Sequence, residues 1–196
     1  GSDDWQKKVE KGFFSNLGHL QKVIFNNEFK SLIFLSTTRL YINSDKTLEN
    51  NDIKLNPNVY NDYYNILKIA SESLLYNSKK KIKILRLSNV FGFNSKSPLL
   101  LPNLIRNALK KGKIEIRVNL NSTKDYIHID DVIKMIMKIS SNSKEKVYNL
   151  AAGKNIKIKD LADIIQKYTK CKIFLKNQNK IIQEPKININ KIKKEF

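Results

Sequence analysis

The run Leu32-Ile33-Phe34-Leu35, leading into Ser36-Thr37-Thr38-Arg39-Leu40-Tyr41, constrains the fold more than any other stretch of this chain. Four consecutive apolar residues, entered from a charged segment and left through hydroxyl residues, read as a buried parallel strand over 31–36. Thr37 then falls just past the strand's carboxyl end, where open α/β sheets bind their ligands. Downstream, Tyr64-Asn65-Ile66-Leu67-Lys68 lies in a segment, 59–78, with helical spacing. Residues four apart share one helix face. A lysine ammonium favours a nearby tyrosinate, and a tyrosinate takes the proton of an alcohol. A strand-end threonine is placed to orient that alcohol.

The Tyr-x-x-x-Lys spacing is not distinctive by itself, because Tyr76/Lys80 and Tyr168/Lys172 repeat it. Context sets Tyr64 apart. The strand ending in Ser36-Thr37 precedes it, and Leu85-Arg86-Leu87-Ser88-Asn89-Val90-Phe91-Gly92 follows. This ordered set resembles the extended short-chain dehydrogenase/reductase superfamily, in particular its NAD-dependent nucleotide-sugar epimerases and dehydratases. The resemblance implies catalytic roles for Thr37, Tyr64 and Lys68. It implies cofactor contacts, to NAD or NADP, from Tyr64, Lys68 and Leu87. It implies substrate contacts from Thr37, Asn89, Arg117 and Lys124, the last in place of the family's usual diphosphate-binding Arg. Lysine there supplies a point charge rather than a two-pronged fork. Arg86 is implied to be buried and structural.

The rest of the chain follows the same pattern. Residues 3–27 read as one helix, with Val9, Phe13, Phe14, Leu17, Leu20, Val23 and Ile24 at helical spacing. The face Ile66, Ala70, Leu74 of helix 59–78 is expected to pack inward. A strand is expected at 82–87, parallel to the first and reached through that helix. A helix over 98–111 stops at Gly112, and a strand follows at 113–118. Lys124-Asp125-Tyr126-Ile127-His128-Ile129-Asp130-Asp131 resembles the family segment that closes the substrate lobe, with Asp130 as N-cap of the next helix. Val147-Tyr148-Asn149-Leu150-Ala151-Ala152-Gly153 resembles the late strand and turn. Helix 157–168, a strand near 172–175 and a mobile loop at 176–183 complete the reading.

The expected fold is α/β: a partial Rossmann-like parallel sheet with flanking helices, plus a small α/β substrate-binding lobe. Residues 3–95 are assigned to the sheet domain. Residues 96–196 are assigned mainly to the lobe, with 125–150 returning to the core sheet. The family opens with a Gly-x-x-Gly-x-x-Gly turn that holds the cofactor pyrophosphate. The six glycines here lie too far apart to form one. The chain therefore resembles the carboxyl-terminal part of an epimerase.

Composition narrows the partners. The net charge of +19 in 196 residues favours anionic ligands. The lysines are spread along the chain rather than gathered beside aromatics, which favours a phosphorylated small molecule over nucleic acid. No apolar run reaches membrane-spanning length. The single Cys171 reads as a buried filler in a cytoplasmic protein. The two histidines, His19 and His128, are too far apart for a zinc site. The broad apolar face of the first helix, with the resemblance, points to a homodimer through helices 3–27 and 59–78.

Within the resembled family, sugar-nucleotide dehydratases place Asp-Glu after the catalytic Thr, where this chain has Thr38-Arg39. Epimerisation needs only Thr37, Tyr64 and Lys68, so an epimerase is expected first. A keto-sugar nucleotide reductase or dehydratase is the alternative within the family. A non-catalytic oligomerisation fragment or a basic polyanion-binding module are alternatives of another class.

Overall fold

The structure is a computed structural model and describes residues 2–25, 29–59, 62–92, 97–176, 178–179 and 181–196. The expected end of the first helix at 27, positions 60 and 61 of the expected helix 59–78, the boundary at 95 and positions 177 and 180 of the loop lie outside the described residues.

The chain order is α1 (Ser2–Phe13), a π-helical turn (Phe14–Gly18), α2 (Leu20–Phe25), β1 (Leu32–Thr37), a 3-10 turn (Thr38–Tyr41), α3 (Asp62–Asn77), β2 (Ile82–Leu87) and β3 (Asn89–Phe91). Then come α4 (Leu100–Lys111), β4 (Lys113–Ile116), β5 (Thr123–His128), α5 (Ile129–Asn142), β6 (Val147–Leu150), β7 (Asn155–Lys157), α6 (Ile158–Thr169), β8 (Lys172–Leu175) and α7 (Asn190–Glu195). Strands β1, β2 and β6 form a parallel sheet in that order. As expected, α3 is the crossover between β1 and β2, and Thr37 and Leu87 are register partners at their carboxyl ends.

Side-chain alternation along β2 organises both faces of this sheet. Ile82 and Ile84 pack with Leu20 of α2 and Leu75 of α3. Leu85 and Leu87 pack on the other side with Val132 and Ile139 of α5. Arg86 shares the face of Ile82 and Ile84, so it is delivered toward α3. A second core joins α4, β4 and α6 through Leu104, Ile114, Ile116, Ile158, Leu161 and the buried Cys171. Between the two, β3 continues from β2 and pairs with β5, and β5 pairs antiparallel with β7.

Three expectations are corrected. The first helix is not continuous: its ladder is interrupted by the π turn. There the Asn16 amide donates to Gly12 O at 2.6 Å, and the Ser71 hydroxyl of α3 donates to Asn16 O at 3.1 Å. A side chain that takes a ladder carbonyl is a common cause of such a bulge. Leu74 is 52% exposed, and the buried face of α3 is Asp62, Asn65, Ser71, Glu72 and Leu75 instead. The helix covers a polar network, so apolar spacing misjudges its inward side. The N-cap of α5 is His128, whose Nδ1 accepts from Asp130 N at 3.2 Å, while Asp130 and Asp131 lie in the first turn.

In the segment after β8, Gln178 is tied to the β4–β5 connection, its Oε1 accepting from Leu120 N at 3.1 Å. Among the described residues no helix is long and apolar enough to cross a membrane.

Candidate active site

The site grows from the carboxyl end of β1. Thr37 ends the strand in extended backbone and caps the 3-10 turn, its Oγ1 accepting from Arg39 N at 3.2 Å. The hydroxyl proton of Thr37 is thereby left to donate elsewhere. Thr38 Oγ1 donates to Leu87 O at 3.3 Å, fastening the turn to the end of β2.

Helix α3 is locked over this point by Lys68. Its Nζ donates to Leu35 O of β1 at 2.9 Å and sits 4.8 Å from the Phe34 ring centroid. One helical turn earlier, the Tyr64 ring centroid is 5.9 Å from the Lys68 nitrogen. The Arg39 guanidinium lies 6.0 Å from the same centroid. Burial pushes the Tyr64 phenol above its ordinary value, and the Arg39 cation opposes that shift. Burial pulls the Lys68 ammonium down, and the Glu72 carboxylate opposes it. Two cations, Arg39 and Lys68, thus lie about equally far from the Tyr64 ring, and the Lys68 ammonium also donates to a strand carbonyl. Nothing local in the sequence singled out Arg39; the tight turn after Thr37 places it.

Beneath the turn lies a buried charged network. Arg86 grips Glu72 through Nε at 3.1 Å to each carboxylate oxygen and through Nη2 at 2.7 Å to Oε2. The Ser36 hydroxyl donates to the same carboxylate. Arg86 Nη1 donates to the Tyr41 hydroxyl at 2.6 Å and to Glu49 O at 3.2 Å. The Tyr41 hydroxyl in turn donates to Asn149 Oδ1 of β6 at 2.9 Å. Burial opposes the Arg86 cation, but the Glu72 pair outweighs it and keeps the guanidinium charged. Every element that positions Thr37 is therefore cross-tied. Glu72 is a residue that sequence reasoning missed. Its signal was a carboxylate four residues after Lys68 on α3, next to the inward Ser71 and Leu75.

The expected substrate residues divide into two groups. Asn89, at the start of β3, donates through Nδ2 to Asp125 O at 2.9 Å and to Glu184 Oε2 at 2.9 Å. Lys124 of β5 is ion-paired with Glu184 Oε1 at 2.7 Å. Asp125 is buried and accepts from Ala152 N and Lys154 N at 2.9 and 3.1 Å, holding the turn at Gly153. Arg117 is elsewhere. It pairs with Glu115 at 2.5 Å on an exposed surface and lines a cleft with Asn103, Asn107 and Lys176 between α4 and β4.

Lys68 is fastened to Leu35 O of β1 with Tyr64 one turn earlier on α3, and Leu87 ends β2 opposite Thr37. The glycines do not offer a pyrophosphate turn: Gly12 is in α1, Gly18 ends the π turn, and Gly92, Gly112 and Gly153 are separated in the chain.

Residues 18–151 match the model of the NAD dependent epimerase/dehydratase family. The chain belongs to this family. The epimerase/dehydratase fold extends to solved structures of low identity. One is the NAD dependent NDP-hexosamine 5,6-dehydratase TunA of tunicamycin biosynthesis, at 18% identity and a TM-score of 0.76, covering 98% of this chain and 64% of that one. Another is the UDP-N-acetylglucosamine 4-epimerase of Methanobrevibacter ruminantium M1, at 21% and 0.76, covering 93% and 62%. A third is the UDP-glucuronic acid 4-epimerase of Bacillus cereus, solved with UDP-glucuronic acid and NAD, at 21% and 0.76, covering 98% and 63%. The chain thus spans less than two thirds of the length of each. No curated protein matches it.

Proposed function

We propose that this chain carries the catalytic and substrate-facing part of an NAD-dependent nucleotide-sugar epimerase. The observation that supports this most is the Lys68 bond to Leu35 O, which sets the Tyr64/Lys68 face of α3 against the strand end that bears Thr37. A bound dinucleotide supplies the hydride acceptor and donor. Tyr64 takes the proton of the sugar hydroxyl as its carbon is oxidised, and returns it on re-reduction. Thr37 donates its free hydroxyl proton to a sugar oxygen and orients it. Lys68 and Tyr64 hold the nicotinamide ribose, and Leu87 gives it an apolar floor. Arg39 adds the positive charge that favours the tyrosinate. Arg39 also stands where a dehydratase carries its extra acid, which favours epimerase over dehydratase. Asn89 and Lys124 face the diphosphate.

The test has two parts. The 196-residue chain by itself is expected to bind NAD no tighter than about millimolar, because a few hydrogen bonds worth about 1 kcal/mol each do not offset the cost of ordering a dinucleotide. Calorimetry checks this, and micromolar binding lost in Tyr64→Phe/Lys68→Ala overturns it. With a glycine-rich dinucleotide-binding segment joined ahead of residue 3, epimerisation of a UDP-sugar followed by NMR should fall roughly 100-fold or more in Tyr64→Phe. An unchanged rate would remove Tyr64 from the chemistry.

A further inference from the structure

Glu184 stands where an anionic ligand of this site would have to go. Its two carboxylate oxygens are both used, and by different residues: Oε1 by the Lys124 ammonium at 2.7 Å, Oε2 by the Asn89 amide at 2.9 Å. Those are the two residues proposed to face a substrate diphosphate. The Lys124 and Glu184 side chains are only 19% and 16% exposed, so the pair is poorly screened by solvent.

The carboxylate is held there by its backbone. Glu184 N donates to Thr123 O at 3.2 Å, and Thr123 N donates to Ile182 O at 2.9 Å. Gln183 forms a parallel bridge with Thr123, and the Asn155 side chain of β7 donates to Glu184 O. The segment 182–184 is therefore pinned along the start of β5, one residue from Lys124. Removing the carboxylate from the two donors takes side-chain rotation, not a loose loop swinging away. Tyr126, also on β5, feels the same charge. Burial and then Glu184 push its phenol up, and its hydroxyl is buried without a hydrogen-bond partner.

We propose that Glu184 is a built-in competitor for the diphosphate position, and so sets the affinity of this site for diphosphate-bearing ligands. The inference rests on the function proposed above. With Glu184 in place, the Asn89 amide already makes two hydrogen bonds and the Lys124 charge is paired. An incoming diphosphate gains nothing from them until it displaces Glu184, and it meets like charge while doing so. A repulsive group of this kind weakens every ligand that carries the anion, whatever its sugar, relative to one that does not. The ligand that binds best is one whose other contacts offset this displacement.

UDP, the nucleotide of the sugar nucleotides bound by the neighbours, is the probe. Its binding is read by calorimetry on the 196-residue chain, with no cofactor and no turnover needed. Glu184→Gln keeps the shape and an acceptor for Asn89 but releases Lys124; it should bind UDP about tenfold more tightly than wild type. The gain should vanish in Glu184→Gln/Lys124→Met and shrink with added salt. Glu184→Ala, checked for folding by circular dichroism, should show the same direction if the Gln variant folds poorly. Equal or weaker UDP binding by folded Glu184 variants, or no binding by any of the chains, overturns the proposal. The outcomes separate the two readings. Tighter UDP binding with no epimerisation in the dinucleotide-binding fusion leaves the competitor standing and removes the epimerase. Epimerisation with unchanged UDP affinity does the reverse.

Discussion

At the residue scale, the Glu72–Arg86 pair ties α3 to the strands at the site, since Ser36 of β1 donates to the same carboxylate. Both side chains are nearly inaccessible, and each charge depends on the other. Removing one partner of such a pair leaves an uncompensated charge in the interior, which costs about 3–5 kcal/mol. Glu72→Ala should therefore lower the urea midpoint by that equivalent. Ser36→Ala, which removes one neutral donor to the same carboxylate, should cost about 1 kcal/mol. Equal small losses for both would mean the network is wetter than its geometry implies. Tyrosines set the alkaline limit. Burial, helped by the bond to Glu195, pushes Tyr148 up to about 12, and burial also raises Tyr41 and Tyr64. Each folded-state value lies above the unfolded one near 10. Their contribution is complete below about pH 10 and is lost as pH climbs through the folded values, because the unfolded chain releases its protons first. Denaturation midpoints should fall between about pH 10 and 12. Tyr148→Phe should make that fall shallower, and an identical slope would count against the assignment.

At the element scale, two helix ends offer a matched comparison. Gly112 closes α4 with φ 60°, and Lys170 closes α6 with φ 56°. The left-handed cap suits glycine, and a side chain there costs about 1 kcal/mol. A Cβ on Gly112 would meet nothing within 4 Å, so Gly112→Ala should lose only that conformational amount. Lys170→Gly should gain a similar amount, both read by thermal melts; same-sign shifts would refute the comparison. Trp5 meets Tyr63 of α3 edge-on at 5.4 Å, yet Phe13, Phe14 and Phe25 are mostly exposed. We propose that this surface, with Leu74 and Tyr76 of α3, meets a second copy across a two-fold axis. Light scattering should give a dimer at micromolar concentration that Phe14→Glu converts to monomer. A monomeric wild type would sink this reading.

At the scale of the whole molecule, sequence periodicity and tertiary closure contributed different things. The strand at 82–87 was legible as written, the strand at 31–36 fell within one residue at each end, and the stop at Gly112 was legible as well. Each follows from apolar spacing or a cap within a few residues, which needs no knowledge of the rest of the chain. The placement of Thr37 at a strand end and of Tyr64 and Lys68 on one helix was legible too, but the spacing of the pair recurs at Tyr76/Lys80 and Tyr168/Lys172, and only the order of the flanking segments set it apart. What only the tertiary structure decided is which charge answers which. Glu72 reaches Arg86 across 14 residues, Lys124 reaches Glu184 across 60, and Asn89 reaches Glu184 across 95. In a chain with 37 basic and 18 acidic residues, composition offers each carboxylate many partners. Only the return of residues 182–184 onto β5 selects Lys124 and Asn89 for Glu184, and only the pairing of β4 with β8 brings Lys176 to Glu115, at 3.0 Å. Hydrophobic pattern is read along the chain, whereas charge pairing depends on distance in space, and that distance exists only once the sheets have closed.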